Sequence, residues 1–235
     1  MDLNIPNHVS LILDGNRRWE RENNMSNFEG HKKGFENIRK MTTYIFDKGV
    51  KYLSVFAFST ENFKRSQEEV KYLMNLFVNE FTKEYHKLHE QNIKIIFSGR
   101  REGLKKEVIN AMEETIKLTK DNTGGIFNVC LNYGGQAEIV DTTKKIMKDY
   151  KNGVIKEEEV TEELFSKYLY NELPPIDLLI RTSGEQRVSN FMLWRLAYAE
   201  FYFPKVGWPG FNEEEFDKAL EEFSKRTRKF GGDSK

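Results

Sequence analysis

The chain has a single cysteine, Cys130, set in an apolar run. No disulfide can close within the molecule, and a reducing compartment is expected. Charge of one sign is also missing: 37 Lys and Arg balance 37 Asp and Glu. A nucleic-acid partner calls for a basic excess, so none is expected. Nowhere does an apolar run approach the roughly 18 residues of a membrane span. The N-terminus shows no basic segment followed by an apolar one, so no signal peptide is expected. These absences point to a cytoplasmic protein, and peripheral contact with a membrane is compatible with them. Only five prolines are present, and no Pro/Ser-rich linker, internal repeat or low-complexity block divides the chain. One domain over residues 1–235 is expected. The phosphate loops G-x-x-x-x-G-K-[ST] and G-x-G-x-x-G are absent, and no two aspartates are adjacent. His86 and His89 share a helix face but lack a third ligand at metal spacing, and they read as solvated.

What is present is a regular alternation. Apolar runs of strand length occupy Val9–Asp14, Tyr52–Ser59, Ile93–Ser98, Ile126–Asn132 and Asp177–Arg181. They are nearly continuous in hydrophobicity, as parallel strands covered on both faces are. Amphipathic segments of helix length fall at about 30–48, 66–91, 103–120, 135–151 and 161–172. In the second, Val70, Leu73, Met74, Phe77, Phe81, Tyr85 and Leu88 form one stripe, and Ser66 before Glu68 and Glu69 reads as an N-cap with acidic first-turn residues. Strand–helix alternation gives right-handed crossovers. The expected fold is α/β, a single domain with a central, mainly parallel sheet flanked by helices. Residues 151–163 read as a charged, solvated segment, and 226–235 as a basic, glycine-containing tail.

In open parallel sheets ligands bind beyond the carboxyl ends of the strands. The first run is followed by Asp14-Gly15-Asn16-Arg17-Arg18 and the second by Ser59-Thr60-Glu61-Asn62-Phe63-Lys64-Arg65. Gly99-Arg100-Arg101 follows the third, and Asn132-Tyr133-Gly134-Gly135 the fourth. Arg181-Thr182-Ser183-Gly184-Glu185 ends the fifth, with Arg187 and Ser189 behind. Guanidinium forks suit phosphate oxygens, and small hydroxyls and glycine amides complete a cradle. A carboxylate there repels phosphate unless a divalent cation lies between, so Asp14 reads as a Mg2+ ligand bridging to a phosphate. For that stretch by itself, an Asp-Gly turn with surface arginines is the alternative.

The segments HVSLILDGNRRW, GHKKGFENIRK, FAFSTENFKR, NYGGQAEIV, DLLIRTSGEQRVSNFMLWRLAYAEFYF and WPGF occur in order over nearly the whole chain. Together they resemble the cis-prenyltransferase family. The resemblance implies the cis-prenyltransferase fold and Mg2+-dependent condensation of isopentenyl diphosphate with an allylic diphosphate such as farnesyl diphosphate. The implied product is a cis-polyprenyl diphosphate, with the undecaprenyl carrier precursor for cell-wall glycans as the expected case. By the same resemblance Asp14 handles Mg2+ and the leaving diphosphate. Gly15, Asn16, Arg17 and Arg18 cradle the allylic diphosphate, with Trp19 and His31 beside them. Ser59, Thr60, Glu61 and Phe63 belong to the mobile segment after the second strand, and Asn62 helps remove the proton from isopentenyl diphosphate. Arg65, Arg181, Arg187, Val188 and Ser189 match binding positions, most of them for isopentenyl diphosphate. Glu200 matches a second metal-linked carboxylate near a dimer interface.

Three positions depart from the family. Asn27 stands where a basic residue is common, and Phe63 where a tryptophan is common. Phe127 is bulky at a position aligned with the end of the product tunnel. They keep open a shorter-chain or atypical prenyl coupling enzyme of the same fold. A non-catalytic partner subunit is a further alternative; it predicts loss of Asp14 or of the strand-end arginines, and both are present. The apolar stripe of 66–91 is a candidate tunnel wall, with ordinary core as the alternative. The stretch 191–211 is aromatic enough for an interface core. The resemblance implies a homodimer built around it, with the tail reaching the partner's diphosphate site.

Overall fold

The computed structural model describes residues 3–26, 28–230 and 232, so Asn27 and most of the tail's end lie outside the described residues. Six strands form one sheet: β1 His8–Ile12, β2 Tyr52–Ser59, β3 Ile93–Ser98, β4 Gly125–Tyr133, β5 Leu178–Arg181 and β6 Glu200–Tyr202. Every pairing is parallel, in the order β3-β4-β2-β1-β5-β6. The helices are α1 Asn16–Glu22, α2 Glu29–Asp47, α3 Gln67–Leu76, α4 Thr82–Glu90, α5 Lys106–Thr119, α6 Gly135–Lys151, α7 Glu162–Tyr168 and α8 Glu213–Ser224. The α/β fold expected from the alternation is the one observed. The edge strand β6 has only three residues, too few for alternation to show within an aromatic run.

The two faces of the sheet differ. Val9 and Leu11, Leu53 and Val55, Ile95 and Phe97, and Phe127, Val129 and Leu131 point to one side and build the larger core with α2, α3, α5 and α8. The side chains one residue out of phase point to the other side, where the core is smaller. This second face carries a polar ladder buried from solvent. His8 Nδ1 lies 2.9 Å from the Pro174 carbonyl, so that nitrogen carries the proton and Nε2 accepts from the Ser54 hydroxyl at 2.9 Å. Ser54 Oγ accepts from Asn128 Nδ2 at 3.0 Å, and Asn128 Oδ1 accepts from Ser98 Oγ at 2.8 Å. Asn171 Nδ2 closes the chain on Ser98 Oγ at 3.0 Å. A run of donors and acceptors thus crosses β1, β2, β4 and β3, and a one-residue slip of any strand would leave several of them unpaired.

The helix expected at 66–91 is interrupted. A single π turn at Phe77–Phe81 separates α3 from α4. The wider turn sets the Phe77 and Phe81 rings face to face, 4.9 Å apart and 17° from parallel, and both pack against Phe97. Tertiary packing has here overridden the 3.6-residue repeat. Ser66 does cap α3, accepting from Glu69 N at 3.2 Å.

Candidate active site

β2, β1 and β5 lie side by side, and their carboxyl ends open into a cavity of about 640 Å³. Its polar end is lined by Asp14, Asn16, His31, Ser59, Glu61, Asn62, Arg65, Arg181 and Ser189. Its other walls are apolar, formed by Phe35 and Ile38 of α2, Phe58 of β2, and Leu73, Met74, Leu76 and Phe77. The stripe of α3 is therefore both core and cavity wall.

β1 ends two residues before Asp14, and the carboxylate is fixed by its surroundings. Its Oδ1 accepts from Gly15 N at 2.7 Å, and its Oδ2 accepts from Arg181 Nη2 at 2.8 Å. The Asp14 carbonyl accepts from Trp208 N at 2.8 Å. Gly15 adopts a φ of +97°, and a Cβ there would lie 2.9 Å from Gly207 Cα and from Ser183 Oγ. The glycine is required by this crossing of three segments.

Arg181 is buried, with its side chain 6% exposed. Its Nη1 donates to the Arg187 carbonyl at 2.6 Å and to Ser189 Oγ at 2.7 Å. Arg18 and Arg187 converge on Glu185: Arg18 Nη2 donates to Oε1 at 2.9 Å, and Arg187 Nη1 pairs with Oε2. The Arg187 bond, then that of Arg18, holds the Glu185 pKa below the usual carboxylate range. Val188 packs against the smaller core.

The second group of basic side chains lies across the rim. Arg65 Nη1 approaches Glu69 at 3.0 Å, His31 Nε2 at 3.5 Å and Arg17 Nη1 at 3.7 Å. Burial, then the Arg65 charge, lowers the His31 pKa, against an opposing pull from Glu69 and Glu20. Glu69 was missed as a site residue. A glutamate in the first turn of a helix reads as a complement to the helix dipole, and nothing local marks it as buried.

The turn after β2 is held from both sides. Asn62 Oδ1 accepts from Ser59 N at 3.0 Å. Thr60 Oγ1 donates to Glu61 at 3.0 Å, and Asn190 Nδ2 donates to Glu61 Oε1 at 2.9 Å. Asn190 also caps α6 through Gln136 N at 2.8 Å. Phe63 packs edge-on against Phe58, with ring centroids 5.0 Å apart. Trp19 sits against Gly207 and Gly210 and is not among the residues lining the cavity.

Two expected sets lie elsewhere. Arg100 forms a two-pronged pair with Asp141, 2.8 Å at each contact, and Arg101 donates to Met112 Sδ. They follow β3, the edge strand farthest from β5, so sheet order removes them from the rim. Glu200 pairs in register with Leu178, at the amino end of β5, and binds Arg226 at 2.8 Å. Three residues of strand, roughly 10 Å, separate its level from Arg181.

Phe127 is 1% exposed and lines a second cavity of about 330 Å³ between α2 and α4. Phe35 and Ile38 belong to the walls of both cavities, so the two adjoin.

Residues 12–231 match a family of prenyltransferases described by its undecaprenyl diphosphate synthases. An isoprenyl transferase from Fusobacterium nucleatum is 45% identical over 232 residues, covering 99% of this chain and 98% of its own. One from Thermotoga maritima is 43% identical over 231 residues, covering 98% of each chain. Among solved structures, lavandulyl diphosphate synthase from Lavandula x intermedia, in complex with dimethylallyl diphosphate, superposes with a TM-score of 0.93. It is 33% identical, with 97% of this chain and 98% of that one covered. A probable undecaprenyl diphosphate synthase from Campylobacter jejuni gives a TM-score of 0.81 at 26% identity, over 97% and 100% of the two chains.

Proposed function

Since the chain belongs to the undecaprenyl diphosphate synthase family of prenyl-transferring enzymes, we propose that it elongates an allylic diphosphate such as farnesyl diphosphate with isopentenyl diphosphate, making new cis double bonds in a Mg2+-dependent reaction. The observation that carries this reading is the two-ended cavity. At the strand ends it offers guanidinium groups, hydroxyls and the carboxylates of Asp14 and Glu61; its walls on α2, β2 and α3 are apolar. A prenyl diphosphate has that same division between charged head and apolar tail.

Arg17, Arg18 and Arg65, with His31, receive the allylic diphosphate. Arg181, Arg187 and Ser189 receive isopentenyl diphosphate. The two groups gather on different carboxylates, Glu69 for one and Asp14 with Glu185 for the other. Arg18 is shared, since it lies on Glu185. Asn62, fixed by Ser59 N, orients the carbon that loses its proton.

Asp14 fits a Mg2+ ion, which commonly binds through one or two carboxylates together with substrate phosphates. Its side chain is 33% exposed, and it lines the cavity. Among the described residues no group of three His, Cys, Asp or Glu side chains is placed to hold a metal. The ion would then share Asp14 with the diphosphate, where it would offset the charge of the departing group. Glu200 is proposed to join such a site only from a second copy of the chain, since within one chain it lies at the opposite end of the strands.

The purified protein, mixed with farnesyl diphosphate, labelled isopentenyl diphosphate and Mg2+, is expected to give label in a solvent-extractable product. EDTA is expected to prevent it. No extractable label under any metal condition would overturn the reading. A shorter or coupled product is favoured by the buried Phe127 and by the likeness to lavandulyl diphosphate synthase. Chromatographic sizing in the same assay separates the two. The long product is proposed to be the undecaprenyl carrier precursor for wall glycans, made in the cytoplasm by a homodimer that touches the membrane peripherally. No helix among the described residues is long and apolar enough to cross a membrane.

A further inference from the structure

Glu69 is a glutamate on a helix whose neighbours in sequence, Gln67 and Glu68, are exposed, yet its own side chain is only 6% exposed. Basic side chains from three segments meet there: Arg17 from α1, His31 from α2, and Arg65 from the turn before α3. Glu69 contacts all three, while Glu20 of α1 pulls on His31 as well. The other buried carboxylate nearby, Glu20, accepts from Gly30 N at 3.1 Å. Two buried polar atoms in the same corner make no hydrogen bond, His31 Nε2, which stands 3.5 Å from Glu69 Oε1, and Asn16 Oδ1, and both residues line the cavity. The corner is therefore assembled but unsaturated.

We propose that Glu69 is a positioning residue for the allylic diphosphate: its buried carboxylate gathers Arg17, His31 and Arg65 into one receptor before the ligand arrives. This rests on the reading that this rim takes the allylic diphosphate. Arginine side chains carry large rotamer entropy, and Arg17 and Arg65 are 71% and 36% exposed. Without a common acceptor the two guanidinium groups repel each other and swing into solvent. Every binding event must then order them again. Guanidinium has five donors in a fixed fork, so one edge can hold Glu69 while another faces a phosphate. The carboxylate also repels the incoming diphosphate, which pulls in the opposite direction. It sits buried behind exposed cations, and solvent screens the approach on the far side, so the ordering effect wins.

Binding of farnesyl diphosphate alone, without its co-substrate, measures the proposal by calorimetry. Glu69→Gln keeps the volume and removes the charge. Its affinity for farnesyl diphosphate is expected to fall by about tenfold or more, equivalent to about 1.4 kcal/mol. Glu69→Asp is expected to recover most of that loss. Steady-state kinetics should show the KM for farnesyl diphosphate rising while that for isopentenyl diphosphate stays within about twofold, because Arg181 and Arg187 rest on other carboxylates. Thermal melts identify variants that fold poorly, and for those the comparison uses Glu69→Asp against the wild type. Wild-type protein that bound no farnesyl diphosphate would contradict the reading of the rim, whatever the variants did. Wild-type binding with equal or tighter binding by Glu69→Gln would contradict the role of Glu69 alone. Equal rises in both KM values would also contradict it, since a general loosening of the rim would produce them.

Discussion

Arg181 Nη2 donates to Asp14 Oδ2 at 2.8 Å, which ties the carboxyl ends of the neighbouring strands β5 and β1 into one unit. The same guanidinium holds Ser189 and the Arg187 carbonyl through its other terminal nitrogen. One buried cation therefore sets the position of the carboxylate and of the loop that follows β5. Separate strands, far apart in sequence, are brought within a single hydrogen-bonding network by sheet order.

Asp14→Ala is expected to fold and to lose at least about 100-fold in turnover, the usual scale for removing a group that stabilises developing charge. Circular dichroism checks the fold and label incorporation checks the rate. Near-normal, Mg2+-dependent turnover in the variant would remove Asp14 from the mechanism.

Replacing Arg181 or Arg187 by alanine is expected to act mainly on isopentenyl diphosphate. Charge-assisted hydrogen bonds contribute about 1.5–3 kcal/mol, so KM for that substrate should rise about tenfold or more. Arg187→Ala is the cleaner variant, because its side chain is 57% exposed while that of Arg181 is 6% exposed and supports Asp14. A rise confined to the allylic substrate would reverse the division of the two sites.

His8 gives the fold a defined acid sensitivity. Burial lowers its pKa from 6.5 to about 4. Between those values the unfolded chain binds a proton that the folded one refuses, so stability rises with pH across the window. The contribution is complete above about pH 6.5 and is lost as pH falls toward 4. At 1.36 kcal/mol per unit the full span is about 3 kcal/mol. Urea melts from pH 7 to pH 4 should show this slope in the wild type and a flatter one in His8→Gln; parallel curves would exclude His8 as its source.

Phe127→Leu is expected to lengthen the products by opening the second cavity to a tail passing Phe35 and Ile38. Phe127→Ala should do so more strongly, but at a cost of about 3–5 kcal/mol in stability. Product sizing by reversed-phase chromatography decides. An unchanged distribution in a variant that still melts cooperatively would show that the second cavity takes no part in chain growth.

The tail and the homodimer are tested together. Arg226 pairs with Glu200 at the start of β6, and Arg228 with Asp177, the residue before β5, in the same chain. Deleting residues 226–235 is expected to lower activity more than thermal stability. Light scattering is expected to report a dimer at assay concentration. A fully active monomer would exclude the interface, and a tail deletion with unchanged kinetics would exclude the tail.

Much of this arrangement is legible in the sequence. Five of the six strands appear as apolar runs because parallel strands buried on both faces must be apolar along most of their length. Asp14, Asn62, Arg181 and Ser189 stood out because each follows a strand, and the structure brings all four to one cavity. Arg100 carried the same local signal but follows β3, and strand order is not written in a strand's own residues. The π turn at Phe77 and the burial of Glu69 were hidden for a related reason. Both are settled by what packs opposite, Phe97 for the one and two arginines with His31 for the other. The polar ladder is visible only as scattered Ser, Asn and His within apolar runs until the register aligns them.

The most direct test of the two-ended cavity is a crystal structure with Mg2+ and the unreactive thio analogue of farnesyl diphosphate. The diphosphate is expected beside Asp14, within hydrogen-bonding distance of Arg65 or Arg17. The prenyl tail is expected between Phe35, Ile38 and Leu73. A tail lying outside this cavity, or a diphosphate bound away from Asp14, would contradict it.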